Sequence, residues 1–222
     1  MRYQTLKTVV TLILLSFFAS QRIIAVTKYV GTTGTPSGNY FTDIQSAVDA
    51  SSAGDLVLVS NGVYSVGERV TPGHDLTNRV VITKNITVRS VNGPKNTIIL
   101  GKEAPGGSFG PGAVRCVYME SGTISGFTIS NGNTLTSGSD IYEKFGGGIW
   151  LTNGCIVTNC TIIGNNADLS GGGAYCSGGS LFDCTISQNS AQDSGGGVYC
   201  NVGSTVTPEF TMDWLTWAHT NI

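Results

Sequence analysis

The chain has 222 residues, enough for one domain with a sizeable core. Only 12% of them are charged, about half the usual share, while glycine fills 31 positions. Net charge is −2, and from residue 100 onward three basic residues stand against nine acidic ones, which excludes nucleic acid or an anionic polymer as a partner recruited by charge.

The first 25 residues, "MRYQTLKTVVTLILLSFFASQRIIA", read as a secretory signal peptide. Arg2 and Lys7 make a basic start, Thr8 to Ala19 a short apolar core, and Ala25 or Ser20 a small residue at which to cut. The apolar run is too short for a spanning helix, and no other segment is a candidate for one. Export to the cell exterior or surface is therefore expected, and with it an oxidising compartment in which cysteines can pair.

Residues 26–60 read as an N-terminal cap and a first strand. Thr42 and Gln45 have capping-box spacing, and Ile44, Ala47, Val48 and Ala50 give one apolar face to a short helix stopped near Gly54. Short strands are expected at Leu56–Val59, at Val63–Tyr64 after an Asn61-Gly62 turn, and at Val80–Thr83, Ile86–Val88 and Thr97–Leu100. A glycine- and proline-rich loop follows at Glu103 to Ala113.

From Ile124 the chain repeats itself. Phe127-Thr-Ile129, Cys160-Thr-Ile162 and Cys184-Thr-Ile186 correspond, each preceded at three residues by Ile124, Val157 or Leu181. Asn165 and Asn189 follow the last two, and glycine triplets begin at Gly146, Gly171 and Gly195, a period of 25 and then 24 residues. Residues 133–145, "NTLTSGSDIYEKF", interrupt the repeat as an inserted loop. Such a period denotes a solenoid whose units bury their apolar faces on their neighbours. The apolar pieces are two to four residues long, β-branched and divided by Gly or Asn. That suits three short strands per coil of an all-β parallel β-helix, not a leucine-rich repeat. Coils ~4.8 Å apart would set each residue on its counterpart, where a repeated charge repels its own copy and uncharged side chains stack freely.

These residues carry a resemblance. "IQSAVDASSAGDLVLVSNGVY" followed by glycine-rich "CTI…N…GGG" coils resembles the secreted, pectin-lyase-like right-handed β-helix superfamily over roughly residues 28–200. "NNADLSGGGAY" and "NSAQDSGGGVY" also resemble the repeats of polymorphic outer-membrane proteins. The resemblance implies a right-handed solenoid with a short N-terminal capping helix, its coils over residues 61–200. It fixes no chemistry, since this fold carries lyases, hydrolases, adhesins and inert stalks alike.

No family catalytic motif transfers residue by residue. Asp168 and Asp193 lie near one turn of adjacent coils and leave a Ca2+ site open, against the plainer reading of solvated turn residues. No other metal or cofactor is expected, because zinc-type cysteine spacing is absent. Asp140, Glu143 and Lys144, with Arg115 and Glu120 one coil earlier, form the one concentrated polar set; a catalytic set competes there with ordinary loop charges. His74 reads as a loop residue and not a ligand, and His219 has no evident partner.

Trp150, Tyr175 and Tyr199 follow Ile149, Ala174 and Val198 at one position of successive coils. Strand alternation turns them outward as a stripe on which sugar rings can stack, or which merely shields the sheet. The six cysteines follow the repeat, Cys160 over Cys184 and Cys176 over Cys200, and are expected to be reduced and buried. Asn85 and Asn159 stand in glycosylation sequons. In the tail, 201–222, Phe210, Trp214 and Trp217 suggest a helix covering the last coil; otherwise the solenoid is truncated and its open end invites self-association. The combined expectation is an exported, noncatalytic, adhesin-like or glycan-contacting protein. A polysaccharide lyase, a glycoside hydrolase or a structural stalk is the alternative.

Overall fold

The computed structural model describes residues 24–207 and 217–219. The basic start and apolar core of the signal segment, and Phe210 and Trp214, lie outside the described residues.

One coil displays the construction. Ile156–Thr158 pairs in parallel with Thr123–Ser125 before it and Ser180–Phe182 after it. Thr161–Ile163 lies likewise between Thr128–Ser130 and Thr185–Ser187, and Ala174–Ser177 between Ile149–Thr152 and Val198–Cys200. The chain visits three sheets in fixed rotation, building them to eight, five and seven strands. This is a parallel β-helix. The expected strand at Val80–Thr83 is longer and earlier, Thr77–Ile82, and that at Ile86–Val88 runs from Thr87 to Ser90.

The interior is a set of columns. Tyr64, Ile99, Ile129, Ile162 and Ile186 stand in register on one sheet, and Val57, Val88, Ile124, Val157 and Leu181 on another. All are fully or almost fully buried in one continuous core. Each such side chain contributes roughly 1.5–3 kcal/mol by leaving water. Asn165 and Asn189 form a polar column beside them: Asn165 Nδ2 donates to Asn189 Oδ1 at 2.9 Å and to Ile129 O at 2.9 Å. The six cysteines are unpaired and buried. Burial pushes the Cys116 thiol up to about 12, so it is an unreactive core residue.

The corners explain the repeated glycine. Gly171 turns with φ +69°, in the left-handed region that a Cβ disfavours, and the same holds at Gly146 and Gly195. At Gly172 the reason differs: a Cβ there would collide with Ser190 O in the next coil. At another corner Asn159 and Asp183 hold equivalent left-handed positions, φ 50° and 49°, which Asn and Asp tolerate best among residues bearing a Cβ. Asp183 is thus a turn residue.

The N-terminal helix, Ile44–Asp49, is capped one residue later than its spacing suggests. Asp43, not Thr42, accepts the Ser46 N–H at 2.8 Å. Gln45 turns inward, and its Oε1 accepts from Val81 N at 2.7 Å, tying the helix to the third sheet. Ala50 is exposed, and Gln45 takes its place on the buried face beside Ile44, Ala47 and Val48. The Lys84 ammonium donates to the carbonyls of Val48, Asp49 and Ser51, closing the helix's C-terminal end.

At the other end, Trp217 lies in a strand, Trp217–His219, and not in the expected helix. That strand pairs with Val198–Cys200, whose edge would otherwise leave its backbone groups unpaired. No helix among the described residues is long and apolar enough to cross a membrane.

Asp55 joins the cap to the first coil. It accepts backbone N–H bonds from Val26 and Ser52, both at 2.8 Å, and these hold its carboxyl below the usual carboxylate range. A depressed folded-state pKa gives stability that is present above the unfolded value, about 3.9, and lost as pH falls through the folded one. Asp55→Asn is expected to lower stability at pH 7 and to flatten its decline below about pH 4, as read from urea unfolding at several pH values.

Candidate functional site

The third sheet carries an outward aromatic position. Val81, Tyr118, Trp150, Tyr175 and Tyr199 stand in register on successive strands. The rings do not form one continuous stripe. Tyr118 and Trp150 stack with centroids 4.8 Å apart and planes within 2°. Tyr175 stacks on Tyr199 at 5.2 Å and on Phe145 at 4.6 Å. Phe145, from the inserted loop, covers Tyr175, so the expectation that all three aromatics present an open face is corrected there: Tyr175 is 4% exposed. Trp150 and Tyr199 are half-buried.

Arg115 holds the loop down. It sits on the buried strand Val114–Met119 and donates from Nε to Gly146 O at 2.9 Å. Its Nη1 donates to Asn78 Oδ1 at 3.1 Å, and Nη2 to Phe145 O at 2.8 Å and Tyr142 O at 3.2 Å. Burial lowers its pKa to about 9, opposed by Tyr118 and Glu143, so it stays charged at neutral pH. In the loop, Asp140 caps a single 3-10 turn, Ile141–Lys144, by accepting from Tyr142 N at 3.0 Å.

Between this loop and the third sheet lies a cleft of about 340 Å³. Arg115, Tyr118, Trp150 and Ser177 line it from the third sheet, Asp140, Tyr142 and Glu143 from the inserted loop, and Thr71 and His74 from an earlier part of the chain. The Tyr142 ring meets Trp150 edge-on, 6.5 Å between centroids. His74 Nδ1 lies 3.9 Å from Asp140 Oδ2 and 4.0 Å from Glu143 Oε1. Glu143 is 2% exposed; its Oε1 accepts from the backbone N–H groups of Asp75 and Leu76, and its Oε2 has no partner. Trp150 Nε1 and His74 Nδ1 are likewise buried without a partner. Unsatisfied buried polar atoms are rare, and three belong to residues lining this cleft, with Glu143 Oε2 packed against Gly138.

The structure thus gathers Asp140, Glu143 and Arg115 of the polar set, and adds Trp150. Lys144 and Glu120 do not line the cleft: Lys144 Nζ lies 3.4 Å from Asp168 Oδ2, and Glu120 accepts from the Tyr118 hydroxyl at 2.8 Å. Asp168 and Asp193 are not equivalent residues. Asn166 and Ala167 pair with Ser190 and Ala191, which aligns Asp168 with Gln192, and Asp193 accepts from Ser170 Oγ at 3.4 Å. Among the described residues no three His, Cys, Asp or Glu side chains are arranged to hold a metal ion.

Sequence reasoning did not name Tyr118, and it read His74 as a loop residue without placing it beside Asp140 and Glu143. Tyr118 carried a signal: Val117-Tyr118-Met119 stands one coil before Ile149-Trp150-Leu151. His74 carried none, because it reaches the cleft from an irregular loop.

No family model matches the chain, and no curated protein does. Among solved structures, a mutant pectin methylesterase crystallised with a hexasaccharide is similar at 18% identity and a TM-score of 0.42. The likeness covers 72% of this chain and 49% of that one, so the chain spans about half its length.

Replacing Arg115 by Met leaves four acceptors without their donor. It is expected to cost about 3–5 kcal/mol in urea unfolding, with an unchanged m-value, and to make the 133–145 loop the first site of proteolytic nicking.

Proposed function

We propose that this β-helix contacts glycans through the cleft beside Trp150, and that it does so as an exported or surface-exposed, noncatalytic module. The observation that carries the reading is the parallel Tyr118–Trp150 pair in a cleft that is also lined by Asp140, Glu143 and His74. A sugar ring has an apolar face of C–H groups and a rim of hydroxyls. The flat indole suits the first, and Asp140, Glu143 and His74 the second. Tyr118 reinforces the platform from behind, its hydroxyl held by Glu120.

The position on the solenoid supports the same reading. Regular coils supply rigidity, and the inserted loop supplies the variable wall, the usual division of labour between scaffold and site. The sequence's likeness to polymorphic outer-membrane repeats, together with its signal-like start, supports display at the cell surface or beyond it. A glycoside hydrolase or polysaccharide lyase is the competing reading, favoured by one observation: a deeply buried carboxylate, Glu143, beside an imidazole.

Titration of the purified chain with oligosaccharides, followed by calorimetry, is expected to give saturable binding of at least one neutral or amino-bearing class. Trp150→Ala is expected to weaken it roughly ten- to hundredfold, the effect of losing a stacked aromatic. Tyr199→Ala, outside the cleft, is expected to change it less than about twofold. Oligosaccharide recovered after long incubation is expected to be uncleaved. Shortened or unsaturated products would transfer the cleft to the enzyme reading, and binding that survives Trp150→Ala would remove the cleft from either.

A further inference from the structure

We infer that the solenoid carries a second glycan-binding site, a groove on the first sheet in which Arg89 takes a single anionic group, a carboxylate or a sulfate ester, borne by a sugar. The groove lies on a different sheet from the cleft and is lined by different residues, so the inference goes beyond the cleft reading.

The groove has a volume of about 380 Å³. Leu58, Arg89 and Ser125, in register on successive strands, line it from the first sheet, and Val91, Gly93 and Asn159 line it from the corners that follow. The corner after Arg89 is pinned to the next coil. The Ser90 hydroxyl donates to Gly126 O and accepts from Gly93 N at 3.0 Å, and Thr128 Oγ1 donates to Pro94 O at 2.8 Å. The groove is therefore formed in advance, and a ligand does not have to order it.

An uncommitted cation marks this place. Arg69 pairs with Asp49, Arg79 with Glu68, and Arg115 holds the inserted loop. Arg89, exposed on the strand Thr87–Ser90, has no acceptor among the described residues. Its guanidinium keeps all its donors, in a planar fork whose parallel N–H groups match a carboxylate or a sulfate. The side chains of Ser125 and Asn159 also have no partner among the described residues, and they bring a hydroxyl and an amide to the same groove for a sugar's hydroxyls. Leu58 and Val91 add apolar surface for its C–H groups.

Charge decides the sign of the ligand. None of the five acids in residues 26–99 lines the groove, while Lys95, on the same corner as Val91 and Gly93, adds a positive charge. Charge also limits the number. Asp183 holds the corner position equivalent to Asn159 one coil farther on, so a row of anions extending that way would meet a carboxylate. One charge per ligand is favoured over a polyanion.

The test uses sugars that share one neutral core: sialyllactose, sulfolactose and lactose, titrated by calorimetry into the full chain at low salt. Sialyllactose is expected to bind at least about tenfold more tightly than lactose, the gain of charge-assisted hydrogen bonds, and to lose most of that gain at high salt. Arg89→Gln is expected to bring the ratio close to one. Arg89→Lys keeps the charge but not the fork, and is expected to restore only part of the ratio. Arg89 is exposed and unbonded, so neither variant removes a hydrogen bond of the fold. Trp150→Ala, in the cleft, is expected to leave the ratio unchanged. Sulfolactose bound as tightly as sialyllactose supports a site for either anion, and weaker sulfolactose supports one for the carboxylate. Lactose bound as tightly as sialyllactose, a ratio that persists in Arg89→Gln, or absence of binding by both acidic sugars overturns the inference while leaving the cleft reading in place. A ratio that falls with Trp150→Ala and not with Arg89→Gln overturns it as well, and moves the acidic sugar to the cleft.

Discussion

Every feature of this protein depends on equivalent residues of successive coils lying on one another. The backbone hydrogen bonds of a parallel sheet fix the spacing, and the three-sheet rotation brings the chain back to the same azimuth in every coil, as from Val157 to Leu181 and, with longer connections, from Val57 to Val88 and from Val88 to Ile124. Each position is then selected for stacking on a copy of itself. Isoleucine on isoleucine fills the interior, and asparagine on asparagine carries hydrogen bonds along the axis. Glycine stands where the next coil's backbone leaves no room for a Cβ. The scarcity of charge follows from the same geometry.

Repetition alone would give a smooth rod. The cleft arises where one coil is lengthened and the excess chain folds back over the aromatic column. Two side chains make this possible. Phe145 stacks on Tyr175 and covers it, while Trp150 stacks on Tyr118 beside the cleft. Arg115 gathers the carbonyls of Tyr142, Phe145 and Gly146, which have no sheet partner to donate to them. Its charge, buried beside the cleft, thereby ties the loop to the third sheet.

The solenoid was legible because its signal is periodic. The columns Ile129–Ile162–Ile186 and Ile124–Val157–Leu181 can be aligned by eye, and the register reproduces them. The helix was legible to within a residue, its cap passing from Thr42 to Asp43 because Gln45 is drawn inward by Val81 instead of closing a capping box. The site was less legible. Asp140, Glu143 and Arg115 stood out as the one concentrated polar set, yet their partner His74 comes from a distant loop without periodicity. The covering of Tyr175 could not be foreseen either. Strand alternation says which way a side chain leaves the sheet, but not what an inserted loop will lay upon it.

The stacking is most directly tested by distance. Nitroxide labels placed pairwise at Thr161 and Thr185, on adjacent strands, and at Thr128 and Thr185, two strands apart, lie at register positions on the face of the second sheet turned away from the core. The account predicts backbone separations of ~4.8 and ~9.6 Å, and hence strong dipolar broadening for both pairs that is greater for the first. Spectra equal to the sum of the single-label spectra, with either pair beyond ~20 Å, would contradict it.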